Sequence, residues 1–265
     1  MNPPSAPSAS SEEQPSTVYR PSVLRQAVAW AVHAYTASGV VVGVLALRAT
    51  FAGRIREAFG WMFIAVLIDA TDGSLARAVG IKQVLPWFDG AKLDDIVDYF
   101  TFVIVPIVLL YQFQLLPPSG TFFFVVVPLL ASAYGFCQAA AKTSDFFFTG
   151  FPSYWNIVAF YLSICQTPPW FNGVLVCLLS FFVFIPIRYI YPTRTVPFRQ
   201  LTNCLGGLWG MLLIILWWQL PSPRLWLVLL SLYYPVYYTA LSFYLHLQTR
   251  KNRWNGLTTE TKDPH

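Results

Sequence analysis

Four aspartates stand at regular spacing on two neighbouring apolar segments. Asp69 and Asp72 lie near the end of the first segment, in DATDGSLAR, and Asp94 and Asp98 open the second, in GAKLDDIVDYF. Because residues three or four apart share one face of a helix, each pair is expected to project from a single helix face. Two antiparallel helices joined by a short loop would bring the two acidic faces together.

Four carboxylates in a low-dielectric pocket repel one another unless a cation neutralises them. Oxygen ligands suit Mg²⁺ or Mn²⁺, and these ions commonly link carboxylates to substrate phosphates. We therefore expect one or two such ions and a phosphate-containing substrate. The alternative is a water-filled cleft, or structural ion pairs with Arg77 and Lys92. It is disfavoured because an ionisable residue at mid-helix costs about 2.5–3.5 kcal/mol on insertion scales, so an ordered set indicates function.

Small and basic residues accompany the acids. Gly73, Ala76 and Gly90 would allow a ligand to approach the helix backbones, and Arg77 supplies a forked donor for a phosphate oxygen. Asp89 and Asp95 fall outside the repeating faces. They are interpreted as solvated residues of the loop and the helix start.

The composition indicates that the helices lie in a membrane. Of the 265 residues, 56% are hydrophobic, 17% aromatic and only 11% charged. The net charge of +5 does not indicate nucleic-acid binding, because the basic residues stand at the ends of hydrophobic segments, where lipid head groups would meet them. Cys137, Cys165, Cys177 and Cys204 lack the close spacing of a metal or redox pair.

Apolar runs between Pro, Gly and charged residues predict an all-α, polytopic membrane helix bundle with about eight transmembrane helices. An interfacial amphipathic helix over residues 23–32 is expected before them. Residues 1–20 are predicted to be a disordered tail, residues 21–248 the membrane domain, and residues 249–265 a polar C-terminal tail. The predicted spans are 34–50, 57–79, 94–116, 121–141, 154–168, 170–188, 201–220 and 224–247.

The distribution of basic residues predicts the orientation. Thirteen of the seventeen Lys and Arg residues fall on the side of the two termini. Since cytoplasmic loops carry the excess of Lys and Arg, both termini and the acidic faces are expected in the cytoplasm. Arg48, Arg54 and Arg56 fit this orientation poorly.

The acids belong to a longer motif that resembles the signature of the CDP-alcohol phosphatidyltransferases, D-x-x-D-G-x-x-A-R followed by G-x-x-x-D-x-x-x-D. The spacer of twelve residues, 78–89, is longer than the family's commonest one by about one helical turn. Such a spacer is similar to that of the bacterial branch whose acceptor is free choline, as are the segments HAYTASG at 33–39 and GFPSYWNIVAFY at 150–161. The eight fixed positions are all matched, by Asp69, Asp72, Gly73, Ala76, Arg77, Gly90, Asp94 and Asp98.

This resemblance implies an enzyme of the bacterial inner membrane that transfers the phosphatidyl group of CDP-diacylglycerol to choline, giving phosphatidylcholine and CMP. It implies metal ligation by Asp69, Asp72, Asp94 and Asp98, with Asp98 also acting as the general base. It implies a homodimer, by analogy only. The residues that it implies for CDP-lipid binding are Asp69, Gly73, Ala76, Arg77 and Gly90.

The quaternary ammonium of choline has no N–H group, so aromatic faces and carboxylates are expected to bind it. Tyr154, Trp155 and Asn156 are the candidates for this acceptor site. The alternatives are an interfacial aromatic belt for Tyr154 and Trp155 and a helix cap for Asn156. His33 and Thr36 begin the first span near the acids, and His33 is interpreted as structural.

Two other functions remain open from the sequence. A sister transferase would use serine, inositol phosphate or glycerol phosphate, and an anionic acceptor would require additional buried basic residues. A divalent-cation transporter would use the acids as its ion site. Transporters commonly build such sites at repeat interfaces, whereas spans four to eight contain no second acidic cluster.

Overall fold

The computed structural model describes residues 21–138, 147–190 and 198–260, which form an assembly of helices with one pair of three-residue strands. The predicted tail 1–20 lies outside the described residues, and the predicted C-terminal tail begins inside the last helix. The helices are α1 (Val23–Phe51), α2 (Ile55–Val79), α3 (Ile81–Val84), α4 (Gly90–Asp98), α5 (Val105–Gln112), α6 (Thr121–Cys137), α7 (Trp155–Ile164), α8 (Pro169–Phe184), α9 (Arg199–Trp218), α10 (Leu225–Ser231) and α11 (Tyr233–Glu260).

The apolar helices are those of a membrane protein. Four stretches in the described chain are long and apolar enough to cross a bilayer: Val23–Phe51, Ile55–Val79, Arg199–Trp218 and Leu225–Thr249. The helices α6, α7 and α8 are apolar but have only 10 to 17 residues. Helical segments thus occur at the predicted places, whereas eight complete crossings remain a prediction.

Helix α1 is one continuous helix of 29 residues, so the prediction of a separate surface helix over residues 23–32 is wrong. Ser22 caps its start, accepting a hydrogen bond from the backbone N–H of Arg25. Ala29 and Val32 within this stretch are buried against Ile81, Val84 and Leu85, so the first turns of α1 pack on the α3 segment.

Close packing of α1 on α4 and on the residues just after α4 depends on two glycines four residues apart. A Cβ atom at Gly39 would lie 2.6 Å from Cγ1 of Val97, and one at Gly43 would lie 2.5 Å from Cε1 of Phe100. Small residues at this spacing let membrane helices approach until their backbones nearly touch. The glycines therefore set how closely the helix that carries Asp94 and Asp98 packs against α1.

A π-helical turn, Tyr99–Ile104, connects α4 to α5 directly after Asp98. Pro106 follows at the start of α5. Proline has no N–H group and its ring clashes with the carbonyl four residues earlier, so Pro106 disturbs the α-helical hydrogen bonds at this point. The wider π turn ends two residues before the proline, and such turns often occur at functional sites.

The twelve-residue spacer between the two acidic motifs contains its own helical turn, α3. Gly80 ends α2 in the left-handed conformation, with φ +67°, which glycine adopts at little cost. Ile81, Val84 and Leu85 then bury their side chains against Ala29 and Val32 of α1. The extra turn thus fixes the connection between the acidic helices to α1.

The main hydrophobic core lies between the helices that follow the acidic motifs and the start of α2. Its largest fully buried side chains are Trp155, Phe59 and Phe160, and the Phe59 and Phe160 rings meet edge to face at 5.1 Å. Large apolar side chains such as Phe122 and Trp218 point outwards. Exposure of this kind suits a protein surrounded by lipid.

Candidate active site

Three of the four predicted acids converge. Asp69 on α2 and Asp94 and Asp98 on α4 each offer a carboxylate oxygen, and these atoms all lie within 4.8 Å of one another. We call these three residues the acid trio. The trio is therefore a group that could hold a metal ion, and its all-oxygen ligand set suits a hard divalent cation such as Mg²⁺ or Mn²⁺.

Asp72, the fourth predicted ligand, is placed differently. It lies one helical turn after Asp69 and is only 6% exposed. Among the described residues, its oxygens do not belong to the group formed by the acid trio. Its role as a metal ligand therefore stays a prediction from the motif.

The acid trio lines a cavity of about 510 Å³, which we call the acidic cavity. Its walls come from α2, α4, the π-helical turn, the end of α6, the segment before α7, and α8. Asp95, which was expected outside the site, lines it as well. The lining residues are Asp69, Ala91, Asp94, Asp95, Asp98, Phe102, Gly135, Phe136, Cys137, Gln138, Thr149, Gly150, Phe151, Pro152, Ser153, Tyr154 and Val183.

Loop 149–154 forms the wall opposite the acids and is held by backbone contacts. The antiparallel strands β1 (Phe147–Thr149) and β2 (Arg188–Ile190) pair Thr149 with Arg188 just before it. Gly150 and Phe151 then donate backbone hydrogen bonds to the carbonyls of Ile187 and Phe182, at 2.9 and 3.0 Å. The sequence did not predict this strand pair, since each strand has only three residues.

A buried hydroxyl fixes the end of the same loop. Ser132 on α6 accepts hydrogen bonds from the Ser153 hydroxyl, at 3.0 Å, and from the indole N–H of Trp155, at 2.8 Å. Ser153 adopts a positive φ of 55°, which is uncommon for a residue other than glycine. These contacts position Tyr154 between two anchored residues.

Of the three predicted choline-binding residues, the structure places only Tyr154 in the acidic cavity. Trp155 is 0% exposed, and its N–H group already donates to Ser132. Asn156 is 7% exposed, and its side-chain oxygen accepts from the N–H of Ile157 in the first turn of α7. Trp155 therefore packs in the core and Asn156 satisfies a helix start, in place of the ligand contacts expected for them.

The predicted CDP-lipid residues, apart from Asp69, do not line the acidic cavity. Gly73 is half-buried, and a Cβ atom there would lie 3.3 Å from a guanidinium nitrogen of Arg77. Arg77 itself is exposed and donates to the Ser74 hydroxyl at 2.9 Å. Ala76 packs against the buried residues of α1 and α3. Their part in nucleotide binding stays a prediction.

Gly90 has a packing role that its place in the motif did not reveal. A Cβ atom at this position would lie 2.6 Å from Cε1 of His33, so only glycine lets the imidazole reach the α4 backbone. His33 is 6% exposed, and its ring lies 4.4 Å from that of Phe88. Its Nε2 atom has no hydrogen-bond partner among the described residues. The structural role expected for His33 is thus visible in its packing.

Asp89 and Asp95 differ in position although neither lies on the predicted acidic face. Asp89 is exposed and caps α4, accepting from the backbone N–H of Lys92 at 3.1 Å, which confirms its assignment to the helix start. Asp95 is half-buried and lines the acidic cavity, so the expectation that it lies outside the site is wrong. The apolar residue Phe102 lies seven positions, or about two helical turns, after Asp95. This spacing could have indicated from the sequence that Asp95 faces inwards.

The helical membrane fold and the convergent acidic motif are consistent with the class of CDP-alcohol phosphatidyltransferases. No family model matches the chain. It is 43% identical to the phosphatidylcholine synthase of Legionella pneumophila over 82% of this chain and 88% of that protein. It is 39% identical to the enzyme of the same name from Legionella bozemanae, over 77% and 97%, and 35% identical to that of Pseudomonas aeruginosa, over 72% and 82%. The chain therefore belongs to the phosphatidylcholine synthase family, and it is an enzyme rather than a cation transporter.

Replacement of Gly150 should disrupt the cavity wall. Its φ of +84° is unfavourable for other residues, and a Cβ atom would lie only 2.3 Å from the carbonyl oxygen of Val183. We expect Gly150→Ala to lower the thermal unfolding temperature of the detergent-purified protein strongly. Gly120→Ala is the matched control, because Gly120 also has a positive φ, +72°, but nothing lies within 4 Å of its added Cβ. Equal unfolding temperatures for the two variants would contradict the assignment.

Proposed function

We propose that the protein transfers the phosphatidyl group of CDP-diacylglycerol to choline, giving phosphatidylcholine and CMP. The observation that carries this proposal is the acidic cavity, where the motif carboxylates Asp69, Asp94 and Asp98 lie within 4.8 Å of one another beside aromatic walls. The similarity to enzymes named phosphatidylcholine synthase supports the same reaction.

The reaction requires a base for the choline hydroxyl, and Asp98 is proposed in this role. Its carboxylate takes the hydroxyl proton as the choline oxygen forms a bond to the phosphorus that bears diacylglycerol. The bond between that phosphorus and the bridging oxygen of CMP breaks, and CMP leaves with that oxygen. Asp98 lies on the cavity-lining side of α4, which gives an acceptor in the cavity direct access to the base.

The acid trio is proposed to hold one or two Mg²⁺ or Mn²⁺ ions. When bound, such an ion would supply positive charge to the pyrophosphate of the liponucleotide and to the charge that develops on it during transfer. Arg77 adds a guanidinium at the exposed end of α2, where a phosphate oxygen can accept from it. Asp72 and the small residues Gly73 and Ala76 stay proposed neighbours of the nucleotide.

The charge of the acidic cavity favours choline over the anionic acceptors of sister enzymes. Four carboxylates line it, and none of its described lining residues is Lys or Arg. A phosphate-bearing acceptor such as inositol phosphate or glycerol phosphate would meet only like charge from these residues. The trimethylammonium group of choline instead meets carboxylates and aromatic faces.

The apolar helices agree with a membrane location. We propose that the protein lies in the inner membrane, with its active site and both termini on the cytoplasmic side. This orientation rests on the distribution of Lys and Arg in the sequence. The expected homodimer likewise stays a prediction.

An acceptor assay tests the proposed function. The purified protein, in mixed micelles with CDP-diacylglycerol and Mn²⁺ or Mg²⁺, is offered radiolabelled choline, serine, inositol phosphate or glycerol phosphate in parallel. We expect label to enter lipid from choline only, with release of CMP, because the cavity is acidic. Label entering lipid from another acceptor but not from choline would contradict the proposal.

Asp98→Asn should abolish turnover while leaving liponucleotide binding largely intact, because a base is lost but the other motif carboxylates remain. We expect the choline transfer rate to fall by about a hundredfold or more. Equilibrium binding of CDP-diacylglycerol provides the second measurement. Asp89→Asn is the control on the same helix, since asparagine also caps helix starts. Near-normal turnover of Asp98→Asn would show that the base is misassigned.

A further inference from the structure

An aromatic contact joins the acidic cavity to the last helix of the bundle. Tyr154 lines the cavity, and its ring meets the ring of Tyr238 on α11. The two ring centroids are 6.4 Å apart and the ring planes are inclined by 63°. Aromatic pairs prefer such edge-to-face arrangements at centroid distances of about 4.5–7 Å. Tyr238 is thus placed to influence the orientation of the Tyr154 ring.

Tyr238 is itself held in place by the strand β2. Its ring stacks on that of Tyr189, with centroids 6.2 Å apart and planes inclined by only 17°. Its hydroxyl donates a hydrogen bond to the backbone carbonyl of Ile190, at 3.1 Å. The backbone N–H of Ile190 in turn donates to the Ser242 hydroxyl, one turn later on α11, at 3.2 Å. These contacts give the Tyr238 ring a defined position between α11 and β2.

The same strand leads back to the wall of the cavity. Arg188 of β2 pairs with Thr149 of β1, the residue that begins loop 149–154. Tyr238 therefore contacts the strand pair that precedes this loop and also Tyr154 at the end of the loop. The last helix and the cavity wall are connected through this one side chain at both ends of the loop.

The orientation of an aromatic ring decides how well it binds a quaternary ammonium group. The face of the ring is negative and attracts a cation, whereas the edge is positive. A ring that rotates freely would present its edge for part of the time and would bind the cation less well. A residue that fixes the ring of Tyr154 therefore favours binding of choline without contributing to metal or phosphate binding.

We propose that Tyr238 is a positioning residue of the acceptor site, whose ring holds the Tyr154 ring in the orientation that binds the trimethylammonium group of choline. This inference rests on the proposed choline transfer. Tyr238 acts through Tyr154, and the phenol ring of Tyr154 makes the contact with the acceptor.

A double-mutant cycle tests this role, with initial rates measured for wild type, Tyr154→Leu, Tyr238→Leu and the double variant. In Tyr238→Leu, we expect KM for choline to rise about tenfold, while KM for CDP-diacylglycerol stays nearly unchanged. The double variant should have the same KM for choline as Tyr154→Leu alone, because a residue that acts through Tyr154 has no effect once that ring is gone. Tyr238→Phe keeps the ring and should retain most of the affinity for choline.

Tyr233→Leu is the matched control on the same helix. Tyr233 also makes an edge-to-face ring contact, with Tyr234 at 6.3 Å, and its hydroxyl also donates to a backbone carbonyl, that of Leu205 at 2.6 Å. It does not line the acidic cavity. We expect Tyr233→Leu to lower the thermal unfolding temperature about as much as Tyr238→Leu does, and to leave KM for choline unchanged.

The outcomes separate this role from the function on which it rests. No transfer to choline by the wild type would overturn the proposed function and, with it, the role of Tyr238. Normal wild-type transfer with an unchanged KM for choline in Tyr238→Leu would overturn the role of Tyr238 alone. Additive effects in the double variant, or equal increases in KM for choline and for CDP-diacylglycerol, would likewise contradict positioning through Tyr154. Tyr238→Met replaces Tyr238→Leu throughout the cycle if the leucine variant does not fold.

Discussion

The mutual repulsion of closely spaced carboxylates in an apolar environment is the constraint on which the rest of this structure depends. Oxygens of Asp69, Asp94 and Asp98 lie within 4.8 Å of one another inside a bundle whose outer surface is apolar. Such charges are costly to hold together without compensating positive charge. The proposed ions and the cationic acceptor both provide it. The same cost makes the site selective for ligands that carry or attract cations.

The surrounding elements hold the acids together through close backbone contacts. Gly39 and Gly43 let α1 pack against the helix of Asp94 and Asp98, and Gly90 admits the ring of His33 to the same helix. On the opposite wall, Gly150 is in contact with the carbonyl of Val183. Substituting any of these glycines would add a Cβ atom where there is no space. The cavity is therefore bounded by closely packed elements on both sides, which favours a fixed orientation of the reacting groups.

The sequence was most informative where the chemistry has a fixed spacing. Helical periodicity predicted that Asp69 would meet Asp94 and Asp98, because residues three and four apart must share a face. The same periodicity placed Asp95 outside the site, because only residues four apart were counted as sharing a face. Residues three apart, such as Asp95 and Asp98, share it as well. Trp155 was expected in the acceptor site because the sequence does not distinguish it from the adjacent Tyr154. The structure does, since the indole N–H of Trp155 donates to Ser132, which is distant in sequence. The close contact of His33 with Gly90 is likewise tertiary, and no local pattern encodes it.

Binding of Mn²⁺ to the purified protein tests the central claim most directly, and electron paramagnetic resonance distinguishes bound from free ion. The account predicts that the wild type binds at least one Mn²⁺ per chain when CDP-diacylglycerol is present. Asp69→Asn should lose most of this binding, because it removes one carboxylate of the acid trio, whereas Asp89→Asn should retain it. A wild-type protein that leaves all Mn²⁺ free, or an Asp69→Asn variant that binds it normally, would contradict the account.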